Sequence, residues 1–404
     1  MAPKPNSVVT GLILSVIVTA IPFTVNAQSS GPSGMQVGSG FLYPMLDVTS
    51  FHDDNLYNSV SASELSTRGW KVSPNATYEL KNNIQRFAAN WDLEAGYYDK
   101  SSDDDYVDNT LSAIYEYQPI SRFRGAVRGE YRDTHDPRGT GRAEGVLGGS
   151  NDEADEWHSY TANTSLAYGL DNSIARIEGD LGYVSKTYDN NLLSTAFRDR
   201  DDVLSAARFF YRVGSKTSLV VEGRYAITDY QLDSPIGGTL NSDTYRILGG
   251  VTWEATAKTT GTVKVGYLEK KFDAITRADA DAINWEANIA WSPLTYSVIN
   301  LTTSRDFGET NGTGNLIETD TYSIDWTHAW AERISTTVDM AFAEDSFDPT
   351  TRHDERFYTG ISMNYEMLRW LTLSGGYRYE DRSSNREEFN YNKNLFMLTA
   401  TVSL

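Results

Sequence analysis

Three histidines are each followed by an aspartate, a pairing that can support proton transfer. The pairs are His52-Asp53, His135-Asp136 and His353-Asp354. Histidine titrates near neutral pH, and a carboxylate partner can fix its tautomer. Adjacent residues of an extended chain point in opposite directions, however, and no nucleophile or oxyanion-hole motif accompanies these pairs. We therefore predict no enzymatic activity and no catalytic residues.

Charged residues on one face of alternating segments form a second candidate set. Between residues 122 and 270 this face is rich in basic side chains with interleaved acids, and elsewhere it is mainly acidic. The basic members are Arg122, Arg124, Arg128, Arg132, Arg176, Arg208, Arg212, Arg224, Arg246 and Lys264, with Glu130, Glu178, Asp180, Glu222 and Glu254 between them. The acidic members elsewhere are Glu79, Asp92, Glu94, Asp108, Glu116, Glu286, Asp325, Asp339, Glu366 and Glu380, with Arg86 and Arg378 as exceptions.

The elements that position these charges are predicted from a period of two in the apolar residues. Tyr245, Ile247, Val251 and Trp253 alternate with polar residues, and residues 283–291 show the same pattern. Successive side chains of a strand point to opposite faces, so each segment has one apolar and one polar face. A barrel with lipid outside and water inside accommodates this pattern along the whole chain.

Composition excludes several other classes of protein. The mean hydropathy of −0.45 is too low for a helical membrane protein, whereas a membrane barrel exposes only alternate residues to lipid. The net charge of −20 argues against nucleic acid as a partner. The absence of cysteine excludes disulfides, thiol catalysis and cysteine metal sites. No cofactor and no metal site are predicted.

The N-terminus has the pattern of a secretory signal peptide, predicted over residues 1–27. Lys4 supplies a positive charge, residues 8–21 form a short apolar core, and Val25-Asn26-Ala27 resembles a cleavage site. Residues 28–40 are rich in Gly and Ser and are predicted to form a flexible periplasmic leader. The barrel is predicted over residues 41–404.

Alternating short and long connections set the expected strand number. Eight short turns, rich in Asn, Asp, Gly, Ser and Pro, separate nine longer polar loops. These connections predict an all-β, transmembrane, antiparallel up-and-down barrel of about 18 strands in a bacterial outer membrane, with periplasmic turns and extracellular loops. An aromatic girdle is predicted at the periplasmic boundary. Its members are Tyr78, Tyr117, Tyr211, Trp253, Trp291, Trp330, Tyr365 and Trp370.

The polar face of the barrel is predicted to line the lumen. The lumen-lining candidates are Arg124, Arg128, Glu130, Arg176, Arg208, Arg224, Arg246, Glu286, Asp325, Arg378 and Glu380. One hypothesis is a basic wall facing an acidic wall, which would produce a transverse field. The alternative is a set of local ion pairs that only keep the interior hydrated. The glycine-rich loop at 133–157 either folds inward as a constriction or stays outside.

Acidic runs in the outer loops are candidates for contacts with outer-membrane lipid. They are Asp53-Asp54, Asp103-Asp104-Asp105, Asp152-Glu153 and Asp155-Glu156. Close carboxylates can bind Ca²⁺ or bridge through divalent ions to lipopolysaccharide. None has the spacing of a calcium loop, and solvated charge runs have the same composition.

A family resemblance rests on the start of the predicted barrel. The chain reads Gly40-Phe41-Leu42-Tyr43-Pro44, then Phe51-His52-Asp53-Asp54-Asn55-Leu56-Tyr57, then Ser73-Pro74. These motifs resemble the outer-membrane β-barrel porin family found in exopolysaccharide biosynthesis loci. The resemblance implies assistance in polysaccharide export beside periplasmic export components, and it transfers no catalytic residues.

The sequence thus predicts an outer-membrane channel with a hydrated, charge-lined lumen. Polysaccharide export is the function that the resemblance implies, whereas the alternation implies only a pore. A general or solute-specific uptake porin and a plugged barrel with a structural or surface-binding role are the alternatives.

Overall fold

The computed structural model describes residues 34–145, 153–170, 172–235, 237–256 and 258–404. The predicted signal peptide lies outside these residues. Of the predicted leader, the described end forms a short strand, β1 (Met35–Val37), which pairs with the beginning of the next strand. The chain therefore enters the barrel through a hairpin whose turn is Gly38-Ser39.

Eighteen long strands follow β1 in chain order. They are β2 (Gly40–Asp53), β3 (Thr67–Lys81), β4 (Gln85–Tyr98), β5 (Tyr106–Ile120), β6 (Phe123–Asp136), β7 (Asp155–Tyr168), β8 (Ala175–Tyr188), β9 (Arg200–Arg212), β10 (Thr217–Tyr230), β11 (Ser242–Thr256), β12 (Thr259–Phe272), β13 (Ala280–Leu294), β14 (Ser297–Glu309), β15 (Leu316–Ala331), β16 (Ile334–Asp348), β17 (His353–Leu368), β18 (Leu371–Ser384) and β19 (Tyr391–Ser403).

These strands close into one antiparallel barrel. Each long strand pairs with its neighbours in sequence, and β19 pairs with β2 from Leu395↔Asp53 to Ser403↔Met45. Closure leaves no unpaired edge among the described barrel strands, which is the condition for a sheet in a membrane. The predicted fold, an antiparallel up-and-down barrel of about 18 strands, is confirmed.

The two faces of the strands differ as the alternation predicts. Ile247, Val265 and Ile283 are 61%, 57% and 65% exposed on the outer face. Leu248 and Leu268, one position away from outward residues, are almost completely buried inside the ring. The exposed apolar surface matches a lipid environment, because a membrane barrel buries this face in hydrocarbon rather than in protein.

Nine long connections lie at one end of the barrel, which we call the long-loop mouth. They span residues 54–66, 99–105, 137–154, 189–199, 231–241, 273–279, 310–315, 349–352 and 385–390. They hold the helix α1 (Leu192–Thr195) and short 3₁₀ turns. Among the described residues, no helix has the length and apolarity needed to cross a membrane.

Two short turns lie further along the chain than the sequence predicts. The sequence predicts short turns near Gln118-Pro119 and Ser292-Pro293. Both pairs instead lie within strands, β5 and β13, and the chain reverses at 121–122 and 295–296. In both strands the pairing register shifts at the proline, between Tyr117 and Ile120 and between Trp291 and Leu294. Proline lacks the N–H that a ladder requires, so a bulge accommodates it without ending the strand.

The predicted aromatic girdle lies on the outer face near the short turns. Six of its eight members are more than a third exposed: Tyr117, Tyr211, Trp291, Trp330, Tyr365 and Trp370. Amphipathic rings favour the headgroup level of a membrane. Their position therefore marks the short-turn boundary of the spanning region.

Candidate lumen and long-loop mouth

A buried carboxylate on β10 gathers three cations inside the barrel. The side chain of Glu222 has no exposed surface, and it contacts Arg208 at 3.3 Å, Arg224 at 2.7 Å and Lys264 at 2.7 Å. Alternation brings these side chains together, because β9, β10 and β12 each direct one of them inward. A carboxylate removed from water requires such partners, so the cluster is electrostatically self-contained.

A second carboxylate, Glu286 on β13, extends this cluster along the wall. Arg224 donates to both of its oxygens at 2.5 and 2.8 Å, and Lys264 lies 2.6 Å away. Arg246 contacts Glu286 at 3.4 Å and also donates to Asp306 on β14. The cluster thus crosses several strands instead of forming isolated pairs.

We call this group the lumen ion-pair lattice. It consists of five basic side chains and five carboxylates: Arg176, Arg208, Arg224, Arg246 and Lys264 with Glu178, Asp180, Glu222, Glu286 and Asp306. The structure therefore brings together five of the predicted lumen residues. The expected basic wall is neutralised here partly by its own acids and partly by Glu286 and Asp306 on the neighbouring strands β13 and β14. A transverse field stays a prediction.

The other predicted lumen residues lie outside the lattice. On β6, Arg128 pairs with Glu130 at 2.8 Å, and Arg124 lies on the same face, four residues before Arg128. On β18, Arg378 lies 3.7 Å from Glu380 and over the ring of Tyr358. These local contacts fit the alternative of ion pairs within a hydrated wall.

An acidic row remains on the wall formed by β15 and β16. Asp325 and Asp339 are direct cross-strand partners, and Asp339 is only 5% exposed. Like charges directly opposite each other repel, and burial strengthens that repulsion. A shared proton or a cation from the lumen would relieve this repulsion.

The β6–β7 loop, residues 137–154, is fixed at its first part to the loops beside it. Arg138 is buried and donates to Tyr57 at 2.8 Å, to Ser101 at 2.9 Å and to Asp104 at 2.6 Å. The hydrogen bond to Asp104 raises the pKa of Arg138, and burial raises the pKa of the Tyr57 hydroxyl. Both groups therefore keep their protons at neutral pH and continue to donate.

A glycine allows this close approach of two loops. Gly139 has a φ of +84°, and a Cβ atom there would lie 1.9 Å from the carbonyl oxygen of Tyr57. A side chain is excluded both by the left-handed backbone and by the contact. The backbone of the two loops is therefore packed together directly.

The same loop reaches the far side of the ring through Glu144. The carboxylate accepts hydrogen bonds from Asn311 at 2.7 Å, Arg352 at 2.6 Å and Arg382 at 2.7 Å. These donors belong to the connections and strand ends between β14 and β18, across the barrel from β6. The described first part of the loop, residues 137–145, therefore reaches across the long-loop mouth, so that of the two alternatives the inward position is the one observed for these residues.

The Arg352 guanidinium makes this contact rigid. Its side chain has no exposed surface, and it lies between the rings of Phe347 at 4.1 Å and Phe389 at 3.5 Å. It also donates to Asp354, at 2.6 Å. A planar cation already held by two rings and by Asp354 loses little further entropy in binding Glu144.

Apolar side chains fill the space below the mouth on one side. Tyr230, Leu240, Leu268, Phe272, Phe307 and Leu316 form a buried cluster inside the ring. Leu240 comes from the 231–241 loop, which Arg277 holds through the carbonyls of Thr239 and Gly238 at 2.8 and 3.0 Å. The sequence interpretation missed this cluster, although apolar residues at the inward positions of β12, Leu268 and Phe272, were a usable signal.

The Asp53-Asp54-Asn55 motif closes the seam between the first and last strands. Asp53 contacts Lys393 at 2.8 Å, and Asp54 accepts hydrogen bonds from the Asn394 backbone and side-chain amides at 2.6 and 2.8 Å. Asn55 is completely buried and donates to the carbonyl of Asn392 at 3.0 Å. The role of the motif visible here is architectural.

The three histidine–aspartate pairs separate in the structure. His52 contacts the carbonyl of Thr67, whereas Asp53 belongs to the seam. His135 contacts Asp108 at 2.8 Å, while Asp136 accepts from Trp157 and Tyr188. Asp354 is buried beside Arg352, and His353 is exposed. In each pair, the histidine and the aspartate therefore have different surroundings and do not face a common site.

The acidic runs differ in how far they are buried. Asp104 is held by Arg138, and Asp155 is 3% exposed and accepts from Asn191 at 2.8 Å. Asp103 is exposed, and Asp152 lies outside the described residues. The buried members therefore hold loops together, and binding of lipopolysaccharide by the exposed ones stays a prediction.

A family model described as "Putative beta-barrel porin 2" matches residues 28–404. No curated protein is similar to the chain in sequence. Among solved structures, OprD from Pseudomonas aeruginosa is 11% identical with a TM-score of 0.48, over 94% of this chain and 97% of that one. OpdL from Pseudomonas aeruginosa is 11% identical with a TM-score of 0.48, over 91% and 100%. OccAB4 from Acinetobacter baumannii is 10% identical with a TM-score of 0.48, over 94% and 100%.

Proposed function

The chain belongs to the "Putative beta-barrel porin 2" family, and we propose that it is a passive channel with a restricted mouth that assists export of exopolysaccharide, the role implied by the resemblance of its first strands. The protein is an outer-membrane β-barrel of the porin type. Passage would occur by diffusion or threading along the polar inner face. The partners we propose are polysaccharide, periplasmic export components, and outer-membrane lipid with lipopolysaccharide.

The observation that carries the proposal is the hydrogen bonding of Glu144 across the mouth. Residues 137–145 of the β6–β7 loop lie across the opening and would restrict the size of the molecules that pass. Release of Glu144 from Arg352 and Arg382 would free the loop on one side. The contacts of Arg138 would keep the other end attached. This arrangement is suited to a channel that opens only when its substrate or a partner engages it.

The polar wall supports passage of hydrated chains rather than apolar molecules. Its charges are largely paired in the lumen ion-pair lattice, so a sugar polymer would meet hydrogen-bonding groups without a strong net field. Most exposed aromatic rings face lipid instead of the lumen. A continuous aromatic track for sugars is therefore not part of the proposal.

A small-solute uptake porin is the second candidate, and the acidic row favours it. Asp325 and Asp339 would select small cations even when the loop stays across the mouth. A closed scaffold would conduct no ions at all. Single-channel recording in a planar bilayer separates the scaffold from both channel functions.

The channel proposal is tested by solute entry into proteoliposomes. Wild-type protein should admit small sugars, and Glu144→Gln should admit longer neutral oligosaccharides because the loop is released. Glu153→Gln is the matched control, since Glu153 is exposed in the same loop. An identical size limit for all three proteins would contradict a mouth held by Glu144.

Export is tested separately in the source bacterium. Deletion of the gene should reduce surface polysaccharide and leave polymer in the periplasm, and the wild-type gene should restore the surface polymer. Unchanged surface polysaccharide after deletion would overturn export while leaving the channel intact. Loss of growth on a small charged nutrient instead would support the uptake porin.

A further inference from the structure

A histidine and two glutamates lie together outside the lumen, at the long-loop ends of β16 and β17. Glu344 is the direct cross-strand partner of Glu355, and His353 lies two residues before Glu355 on the same strand. One potential ligand atom from each of the three side chains lies within 4.8 Å of the others. This group is distinct from the lumen lattice and from the contacts that hold the mouth.

The alternation of the strands places this group on the outer surface. Met340, Phe357 and Ile361 are 45%, 39% and 50% exposed on the lipid-facing side, and Glu344, His353 and Glu355 share their faces. Phe342 and Phe357 are cross-strand partners directly below the two glutamates. The group therefore lies just above an apolar band, at the level where lipid headgroups begin.

Hydrogen bonds orient the histidine before any ligand is present. Its Nδ1 lies 3.3 Å from the Ser346 hydroxyl, and its backbone N–H donates to Asn385 at 3.0 Å. A metal-binding imidazole commonly uses one nitrogen for the metal and the other for a hydrogen bond that fixes the ring. The contact with Ser346 leaves Nε2 as the nitrogen for a ligand.

The two glutamates supply negative charge, and their mutual repulsion favours binding of a cation between them. Directly opposed carboxylates on adjacent strands repel each other, and a divalent ion between them would remove that repulsion. A nitrogen donor with two carboxylates suits Zn²⁺ and similar transition metals, whereas Ca²⁺ and Mg²⁺ prefer oxygen ligands in larger number.

We propose that Glu344, His353 and Glu355 bind one divalent transition-metal ion of the Zn²⁺ class on the outer surface of the barrel. Three protein ligands leave at least one coordination position, which faces the headgroup layer. Because both strands are held in the barrel ladder, the ligands start close to their bound positions. The ion would link the ends of the β16–β17 hairpin.

The test is metal binding by full-length, tag-free protein in detergent after treatment with EDTA. Titration with ZnCl₂ by calorimetry should give one equivalent per chain, and Co²⁺ should give visible d–d absorption. His353→Ala and Glu355→Gln should each abolish stoichiometric binding. Ser346→Ala should weaken it by about 10- to 100-fold, as expected for a residue that orients a ligand.

A second histidine on the barrel provides the matched control. His158 lies 2.9 Å from Asp189 but belongs to no described three-ligand group. His158→Ala should therefore bind zinc like the wild type, and all variants should retain heat-modifiable migration on a gel as a sign of a folded barrel. Absence of stoichiometric binding by the wild type, or wild-type binding by folded His353→Ala protein, would overturn the proposal.

Discussion

Glu144 and Arg352 are 208 positions apart in sequence, yet Arg352 Nη1 lies 2.6 Å from Glu144 Oε1 inside the long-loop mouth. Neither side chain has more than 8% of its surface exposed. A carboxylate and a guanidinium in so little water depend on each other, because removal of one leaves an uncompensated charge. The contact therefore controls both the position of the loop and the local stability of the mouth.

We first predict that Glu144→Gln increases single-channel conductance. The neutral amide cannot hold Arg352 and Arg382 together, so the β6–β7 loop should leave the mouth more often. Recording in planar bilayers measures the effect, with Glu153→Gln as a control of the same chemistry in the same loop. A conductance equal to that of the wild type would show that the loop does not restrict ion flow.

The acidic row gives a second prediction, on ion selectivity. Replacement of Asp325 and Asp339 by asparagine should lower the preference for cations, because two lumen-facing charges are lost. The reversal potential in a KCl gradient measures this preference. Asp243→Asn is the control, since Asp243 accepts a hydrogen bond from Tyr225 on the outer face. Equal shifts in both proteins would exclude a local effect of the row.

A third prediction concerns the transverse field. Reversal of charge at Arg124 and Arg128, both to glutamate, should increase cation preference and change conductance, since both lie on the inward face of β6. Lys271→Glu serves as a comparison, because Lys271 is half exposed and pairs with Glu269. If the double variant conducts like the wild type, the charges on β6 do not shape the field.

The lattice gives a fourth prediction, on stability. Glu222→Gln should lower the free energy of unfolding by about 3 kcal/mol, because Arg208, Arg224 and Lys264 lose a shared buried partner. Urea unfolding in lipid vesicles, followed by tryptophan fluorescence, measures the change. Glu254→Gln should stay within about 0.5 kcal/mol of the wild type, since Glu254 is exposed. Similar values for the two variants would mean that the lattice contributes little.

The barrel could be predicted because the sequence pattern that specifies each strand is local and recurs along the chain. Alternation at residues such as Ile247 and Leu248 assigns a face without knowledge of distant contacts. Short turns could be counted but not placed to the residue, since Pro119 and Pro293 look like turn residues yet lie at bulges inside strands. The sequence shows where a proline is, but it does not show whether the pairing of the neighbouring strands accommodates that proline in a bulge.

The mouth was not predictable in the same way. Glu144, Arg138 and Arg352 lie in loops that have no period, and their contacts join connections far apart in sequence. Glycine content made this loop a candidate for folding inward but did not decide between an inward and an outer position; Gly139 allows the close approach at one position. The residues that contact the loop could not be predicted without the closed ring, because ring closure is what brings β17 and β18 close to the loop.

Because one loop reaches across the mouth and contacts several others, the outer loops of this protein are less free to change in sequence and length. Outer loops are the segments that tolerate insertions and differ most among related proteins. Here Arg138 contacts residues of two loops, and Glu144 contacts three further elements. An insertion at 54–66 or 349–352, made to escape a phage or an antibody, would therefore also alter permeability. Surface recognition and transport would then have to evolve together.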